Sequence, residues 1–367
     1  MDETDRYIEY LQRGALPDGW EQAFDGIAFA TWVRTNKGPL AEMAAALHPA
    51  NPDELLRQHE DRLGKFRPTT RFETPDSDAI FTPLLKEIQE AARRLQVRPV
   101  REIRIATSTD ISFSPASRPT DGEHLLFIGR GTAAFCNYWA KAYAAIVKAI
   151  AAKTVAPVQS PSDLVAIFQR EPSGLLVPAR LALFHAVYGT VLGFGEVVQP
   201  LSHTTYRLEL LRAIELFVVG HEFAHFVAEE RLPHLRGSLE LEQQHELERF
   251  CDALGLALSR ECSGANFLTF CGVGAVVLLR SAELTASVRD VLAKSAAQVS
   301  GGSTEARSDS SHPAPALRVA AIKTWVHENT VEDERPHADA FIAEYDRIAC
   351  AVNTFVLEAV QSALAGP

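Results

Sequence analysis

The chain has 367 residues, with 36 Lys and Arg against 47 Asp and Glu, a formal net charge of -11 at pH 7 and a hydrophobic fraction of 47%. That length supports a substantial core in one large or two closely packed domains. The acidic balance lacks the clustered Lys and Arg of a phosphate-backbone binder, so no nucleic-acid partner is expected.

The chain opens Met1-Asp2-Glu3-Thr4-Asp5-Arg6, without the basic and apolar regions of an export signal. Residues 1–100 read as an N-terminal helical region, broken at Lys65-Phe66-Arg67-Pro68 and Thr74-Pro75-Asp76, with a helix over Ile80 to Leu95. Residues 101–367 read as a second domain. Its small sheet is expected within 101–130, where Ile103-Arg104-Ile105 and Ile111-Ser112-Phe113 alternate and His124 to Ile128 is a compact apolar run. Helical spacing then predicts elements over Ala133 to Ala152, Ser162 to Gln169, Pro178 to Leu192, Thr204 to Glu230, Leu239 to Ser259, Asn266 to Lys294, Pro313 to Glu328 and Arg335 to Leu364. The expected fold class is mainly α with a small β-sheet (α+β), with active-site helices within 204–262 and a helical C-terminal part over 264–367.

The most apolar stretch, Phe267 to Leu279, is interrupted by Thr269 and ends at Arg280. It falls short of the roughly 20 residues a bilayer span needs, so it reads as a buried helix and no membrane span is expected. Cys136, Cys251, Cys262, Cys271 and Cys350 are odd in number and form no CxxC pair. They read as small, buried, reduced thiols, which points to a cytoplasmic location. The Gly/Ser-rich segment Ser300 to Ser311 reads as a loop whose ordering could gate a site beside it.

His221-Glu222-Phe223-Ala224-His225 lies inside the Thr204 to Glu230 helix, where Leu210, Leu211, Ile214, Phe217, Val218, Ala224 and Ala228 recur at helical spacing. Thr204 or Thr205 is available as a cap and Pro233 as a stop. Residues four apart share one helix face, so His221 and His225 can present ring nitrogens to one metal ion. Glu222 can take a proton from a water at that metal and return it to a departing amine. A catalytic zinc usually has three protein ligands. Glu248, on the next predicted helix, is the leading third donor, with His245 and Glu246 as competitors. Asp252, four residues on, can accept the other ring N–H of a ligating histidine. His185, His203 and His234 read as structural or exposed.

The order His-Glu-x-x-His, then Glu248-x-x-x-Asp252, then Ser311-His312-Pro313 with Arg318 six positions after His312 resembles the gluzincin metallopeptidases related to HtpX and the CAAX prenyl proteases. A soluble chain of this kind is also similar to the Lit-type phage-exclusion peptidases. The resemblance covers Thr204 to Trp325 and implies one Zn2+ per chain held by His221, His225 and Glu248. It further implies Glu222 as general base, with Asp252, His312 and Arg318 in support. A loop His or Arg can also donate to the oxyanion of a tetrahedral intermediate, a role that falls here to His312.

The expected activity is hydrolysis of a peptide bond in an intracellular protein or peptide substrate. Such a substrate could pair along Leu125 to Ile128 if that strand is an edge, the other reading being that the strand is core. A second class of reading is a noncatalytic helical binding protein that retains the His-Glu-x-x-His helix as scaffold. No feature of the chain sets an oligomeric state.

Overall fold

Between residues 101 and 130 the alternating and continuous apolar runs become a three-stranded sheet, and the remaining regular structure is helical. The computed structural model describes residues 3–365 except 22–24, 27–30, 32–33, 39–40, 43–44, 46–50, 67, 121, 154–159, 171–174, 196, 198–199, 233, 235–239 and 301–311. The fold is mainly α with a small β-sheet. Backbone contacts divide the chain into two compact units, Met1–Leu84 with Arg101–Ala133, and Leu85–Val100 with Ala134–Pro367. The sheet segment thus groups with the N-terminal helices, a different grouping from the division at residue 100 read from the sequence.

The first unit contains α1 (Glu3–Ala15), α2 (Pro52–Lys65) and the start of α3 (Pro75–Arg94). Helix α3 begins five residues before the expected Ile80. The Thr74 hydroxyl accepts from the Ser77 backbone N–H at 3.4 Å, and Pro75 occupies the first helical position, where its missing N–H costs nothing. The strands are β1 (Ile103–Ser108), β2 (Ala116–Pro119) and β3 (His124–Gly129), in spatial order β1-β3-β2. Strand β1 runs parallel to β3 with Ile103 opposite His124, and β2 runs antiparallel with Pro119 opposite His124.

One expectation for this region is corrected, and the choice between edge and core for Leu125 to Ile128 falls to core. Ile111-Ser112-Phe113 is not a strand, because the Asp110 carboxylate accepts from both the N–H (2.8 Å) and the hydroxyl (2.7 Å) of Ser112 and bends the chain locally. Leu125 to Ile128 is not an edge. Strand β3 is paired on both sides and buried along its whole length, so it has no open ladder for a peptide substrate. Ile8, Ala106, Leu125 and Phe127 form one core cluster of this unit, with Leu11 and Ala116 packed against it. Beside it, Gln12 is satisfied by the Thr107 carbonyl and the Thr70 hydroxyl, and Arg104 pairs with Asp5 at 2.7 Å.

The second unit is helical: α4 (Arg130–Lys153, from Ala134 onward), α5 (Pro161–Arg170), α6 (Leu176–Tyr188), α7 (Thr204–Arg231), α8 (Leu241–Glu261), α9 (Phe267–Phe270), α10 (Val273–Ser300), α11 (Pro315–Glu328) and α12 (Arg335–Ala365). His203, which ends a single 3-10 turn at Leu201–His203, occupies the position before α7 without a side-chain capping hydrogen bond, and neither Thr204 nor Thr205 serves as the cap. The helix expected over Asn266 to Lys294 is two helices. Asn266 caps α9 by accepting from the N–H groups of Leu268 and Thr269, and Gly272, at φ +70, breaks the chain before α10 in a conformation side chains disfavour.

Helix α10 packs against α6, α7, α11 and α12, and α7 against α8. Arg280 on α10 holds Asp346 on α12 at 2.8 Å, and Lys323 on α11 reaches the other oxygen of Asp346 at 3.0 Å, tying three helices through one carboxylate. All five cysteines are free. Cys136, Cys251 and Cys271 are buried, while Cys262 and Cys350 are partly exposed. Among the described residues one helix, α12, is long and apolar enough to cross a membrane by length and composition, a feature the sequence reading overlooked. A line of its residues from Ala338 to Val356 is buried within this unit, and one third of its most apolar window is buried in all.

Glu215 on α7 keeps a partly exposed surface, yet burial of its carboxyl pushes its pKa from 4.5 up to about 8, opposed in part by Arg212. A carboxyl whose pKa is raised on folding contributes stability that is present below 4.5 and is lost as pH rises through about 8. Glu215→Gln is therefore expected to match the wild type in urea unfolding at pH 4.5 and to exceed it at pH 9. Equal midpoints at pH 9 would rule this account out.

Candidate metal centre

Helix α7 is buried on nearly every side from Ala213 to Ala228, not along a single stripe, so the His-Glu-x-x-His turn lies inside the unit. His221 and Glu222 are both buried. The apolar floor is formed by Ala224 and Ala228 of α7 and Cys251 of α8, with Leu232, Leu247, Phe250 and Leu254 packed against them. Gly220 and Gly255 let the two backbones approach. A Cβ on Gly255 would lie 2.9 Å from the His221 nitrogen, and one on Gly220 would lie 3.0 Å from the Gly255 oxygen. The Ser259 hydroxyl caps this crossing by donating to the Gly255 carbonyl at 2.7 Å.

This approach brings the three sequence-derived ligands together. His221 Nε2 and His225 Nε2 are 3.3 Å apart, Glu248 Oε2 lies 3.5 Å from the first, and Glu248 Oε1 lies 3.6 Å from the second. A tetrahedral ion bonded at about 2.0–2.1 Å to each donor has donor–donor edges of about 3.3–3.4 Å. The three separations, two of them to different oxygens of Glu248, are each close to such an edge. Among the described residues His221, His225 and Glu248 form the one group of this kind, and neither His245 nor Glu246 belongs to it. Glu248 Oε2 is buried without a well-directed hydrogen bond, the position of an oxygen that a cation would satisfy.

Behind the ligands lies a second layer. Asp252 Oδ1 is 3.0 Å from His221 Nδ1, which leaves Nε2 toward the centre. Arg318, from the first turn of α11, clamps Asp252 with two parallel hydrogen bonds, Nε to Oδ2 at 2.8 Å and NH2 to Oδ1 at 2.6 Å. Its NH2 also lies 3.7 Å from Glu248 Oε2. His312 precedes α11, is exposed, and places Nδ1 at 2.8 Å from Glu248 Oε2. The proposed gating segment before it falls at residues 301–311, outside the described residues.

The electrostatics follow from this layering. Burial works to lower the His221 pKa, but the facing carboxylates of Asp252 and Glu248 outweigh it and push it up to about 9. His225 is driven the other way, to about 3, by burial and then by the charge on His221. Burial opposes ionisation of Glu248, yet His221 and His312 hold its carboxyl far below the usual range, and Arg318 with His221 lowers that of Asp252 against its burial. The Cys251 thiol between these acids is pushed up by burial and then by Glu248 and Glu222, so it stays a neutral packing group.

All seven residues singled out from the sequence, His221, Glu222, His225, Glu248, Asp252, His312 and Arg318, thus belong to one region of the second unit. Sequence reasoning missed the pairing of Arg318 with Asp252 and the glycine crossing. The available signal for the crossing was a glycine inside each of two predicted helices, one directly preceding His221. Comparison with protein-family models, curated proteins and solved structures finds no match.

Two outcomes follow. Gly255→Ala, whose Cβ must displace the His221 backbone, is expected to lower stability by about 1–3 kcal/mol and to weaken metal binding. Gly274→Ala, whose Cβ would meet the Ala213 oxygen at 2.2 Å, should lower stability while the folded fraction keeps its metal affinity. Equilibrium unfolding with metal titration separates the two. Arg318→Gln, which leaves the three donors in place, is expected to weaken metal binding by about 10–100-fold, and unchanged affinity would remove the clamp from the account.

Proposed function

We propose that the chain is a zinc-dependent endopeptidase of gluzincin type, similar to the HtpX and CAAX prenyl protease lineage, acting on an intracellular protein or peptide. The observation that carries this reading is the His221, His225, Glu248 donor triangle with a buried glutamate, Glu222, next to its first histidine. Two imidazoles and one carboxylate leave a fourth position open, the donor set of catalytic zinc sites, whereas structural zinc is usually closed by Cys and His. Cys251, the nearest thiol in sequence to Glu248, packs in the apolar cluster with Ala224 and Ala228 and is not among the grouped donors, which disfavours a closed structural site.

When bound, zinc supplies a Lewis acid that polarises a carbonyl and acidifies water. The chain's own residues supply the rest. Glu222 takes the proton of the attacking water and delivers it to the departing amine. Asp252 selects the His221 tautomer that presents Nε2, and Arg318 fixes Asp252, which makes Arg318 a positioning residue. We assign to His312, which pairs with Glu248 Oε2 ahead of α11, the donation to the oxyanion of the tetrahedral intermediate. Five free cysteines accord with a reducing compartment.

The test compares wild type with Glu222→Gln. Both should purify with one zinc per chain by elemental analysis, and the variant should lose cleavage by about 10²-fold or more. An unbiased comparison of protein fragments in cells expressing each form should reveal products that only the active form makes. Wild-type protein without stoichiometric zinc, prepared without chelators, would sink the proposal.

A further inference from the structure

A cleft of about 570 Å³ opens in the second unit between the turn at Gly264 and Ala265, helix α9 and the first turn of α12, and none of the three candidate metal donors lines it. That volume falls within the roughly 300–1,000 Å³ of small-molecule sites. One wall is aromatic. The rings of Phe267 and Phe270 are 16° from parallel with centroids 5.8 Å apart, and Phe341 braces Phe267 edge-on at 5.1 Å. Phe267 is 42% exposed, so part of its ring is open to a ligand.

The other wall is polar. Glu334 and His337 are both exposed, and among the described residues neither the carboxylate nor the imidazole has a hydrogen-bond or ion-pair partner. Asn266, which also lines the cleft, is engaged already: its side-chain oxygen caps α9 and its amide donates to the Glu209 carbonyl at 2.9 Å. Charge then selects the ligand. Glu334 ends the acidic run Glu332-Asp333-Glu334, in a protein of net charge -11. A helix start favours an anion, but α12 begins directly after Glu334, which supplies that negative charge itself. The two guanidiniums beside the cleft are bound elsewhere. Arg260 donates to the carbonyls of Phe270 and Asn329 and to the Thr330 hydroxyl, and Arg335 to the Thr330 carbonyl. Arg260 also lies over the Phe270 ring at 4.4 Å, which leaves Phe267 as the ring for a second cation. We propose that this cleft binds an organic cation, an ammonium or guanidinium carried on an apolar body. The body lies against Phe267, the charged head meets Glu334, and the neutral form of His337 accepts a further N–H.

The experiment is a ligand-observed NMR titration of the full chain with tryptamine and with indolepropionate, which share one ring system and side-chain length but carry opposite charges. Tryptamine should bind with a dissociation constant of about 1 mM or tighter, and indolepropionate about tenfold more weakly. Glu334→Gln and Phe267→Leu should each weaken tryptamine about fivefold, with circular dichroism verifying that both are folded. Glu222→Gln should bind it as the wild type does, which separates the cleft from the metal centre. Acetyl-Phe-Lys-amide is the third probe: affinity above that of tryptamine assigns the cation to a basic side chain of a polypeptide, and affinity below it to a free amine. No wild-type binding of either cation, equal affinity for indolepropionate, or undiminished binding by Glu334→Gln overturns the proposal.

Discussion

The candidate metal centre depends on how near two helix backbones come at Gly220 and Gly255. With any side chain at either position, α7 and α8 would have to separate or shift, and Glu248 would retreat from the two histidines opposite it. Glycine inside a helix costs about 0.5–1 kcal/mol relative to alanine. Here the cost is offset by the packing of Ala224, Ala228 and Cys251 with the leucines around them. The donor triangle is thus a property of the crossing, and the ligands are what that crossing carries.

Close packing of this kind creates an electrostatic problem. Glu222, Glu248 and Asp252 are all buried within two adjoining helices, and buried carboxylates are costly without compensating charge. The compensation is distributed. Arg318 meets Asp252 with two hydrogen bonds and approaches Glu248, His221 faces both acids, and His312 closes on Glu248 from the exposed side. His225 stays neutral because it is buried beside a charged neighbour, which keeps its ring nitrogen available as a donor. The same charges stabilise the helix pair, and a cation bound at His221 Nε2 would take the place of the proton that these carboxylates favour there.

Much of this was legible in the sequence because it rests on helical spacing. His221 and His225, and Glu248 and Asp252, are each four apart, and that interval alone places each pair on one face. The mainly helical fold and the small sheet followed from periodicity in the same way. Where the reading failed, local side-chain chemistry or long-range pairing decided the outcome. Asp110 captured Ser112 and removed a strand that alternation had promised, and Gly272 broke a helix that hydrophobicity ran straight through. The central place of β3 could not be read from Leu125 to Ile128 themselves, because its neighbours β1 and β2 determine it. The partner of Arg318 lies 66 residues away, a distance across which spacing carries no information.

That separation also orders the assembly of the centre in time. The chain is made from its N-terminus, and the histidines of α7 and the acids of α8 leave the ribosome before Arg318 does. Until α11 emerges, Asp252 and Glu248 stand four residues apart on one helix without the guanidinium that binds one and approaches the other. A nascent chain therefore holds a complete set of donors in an incomplete electrostatic setting. The centre reaches its final balance only when α11 folds onto it.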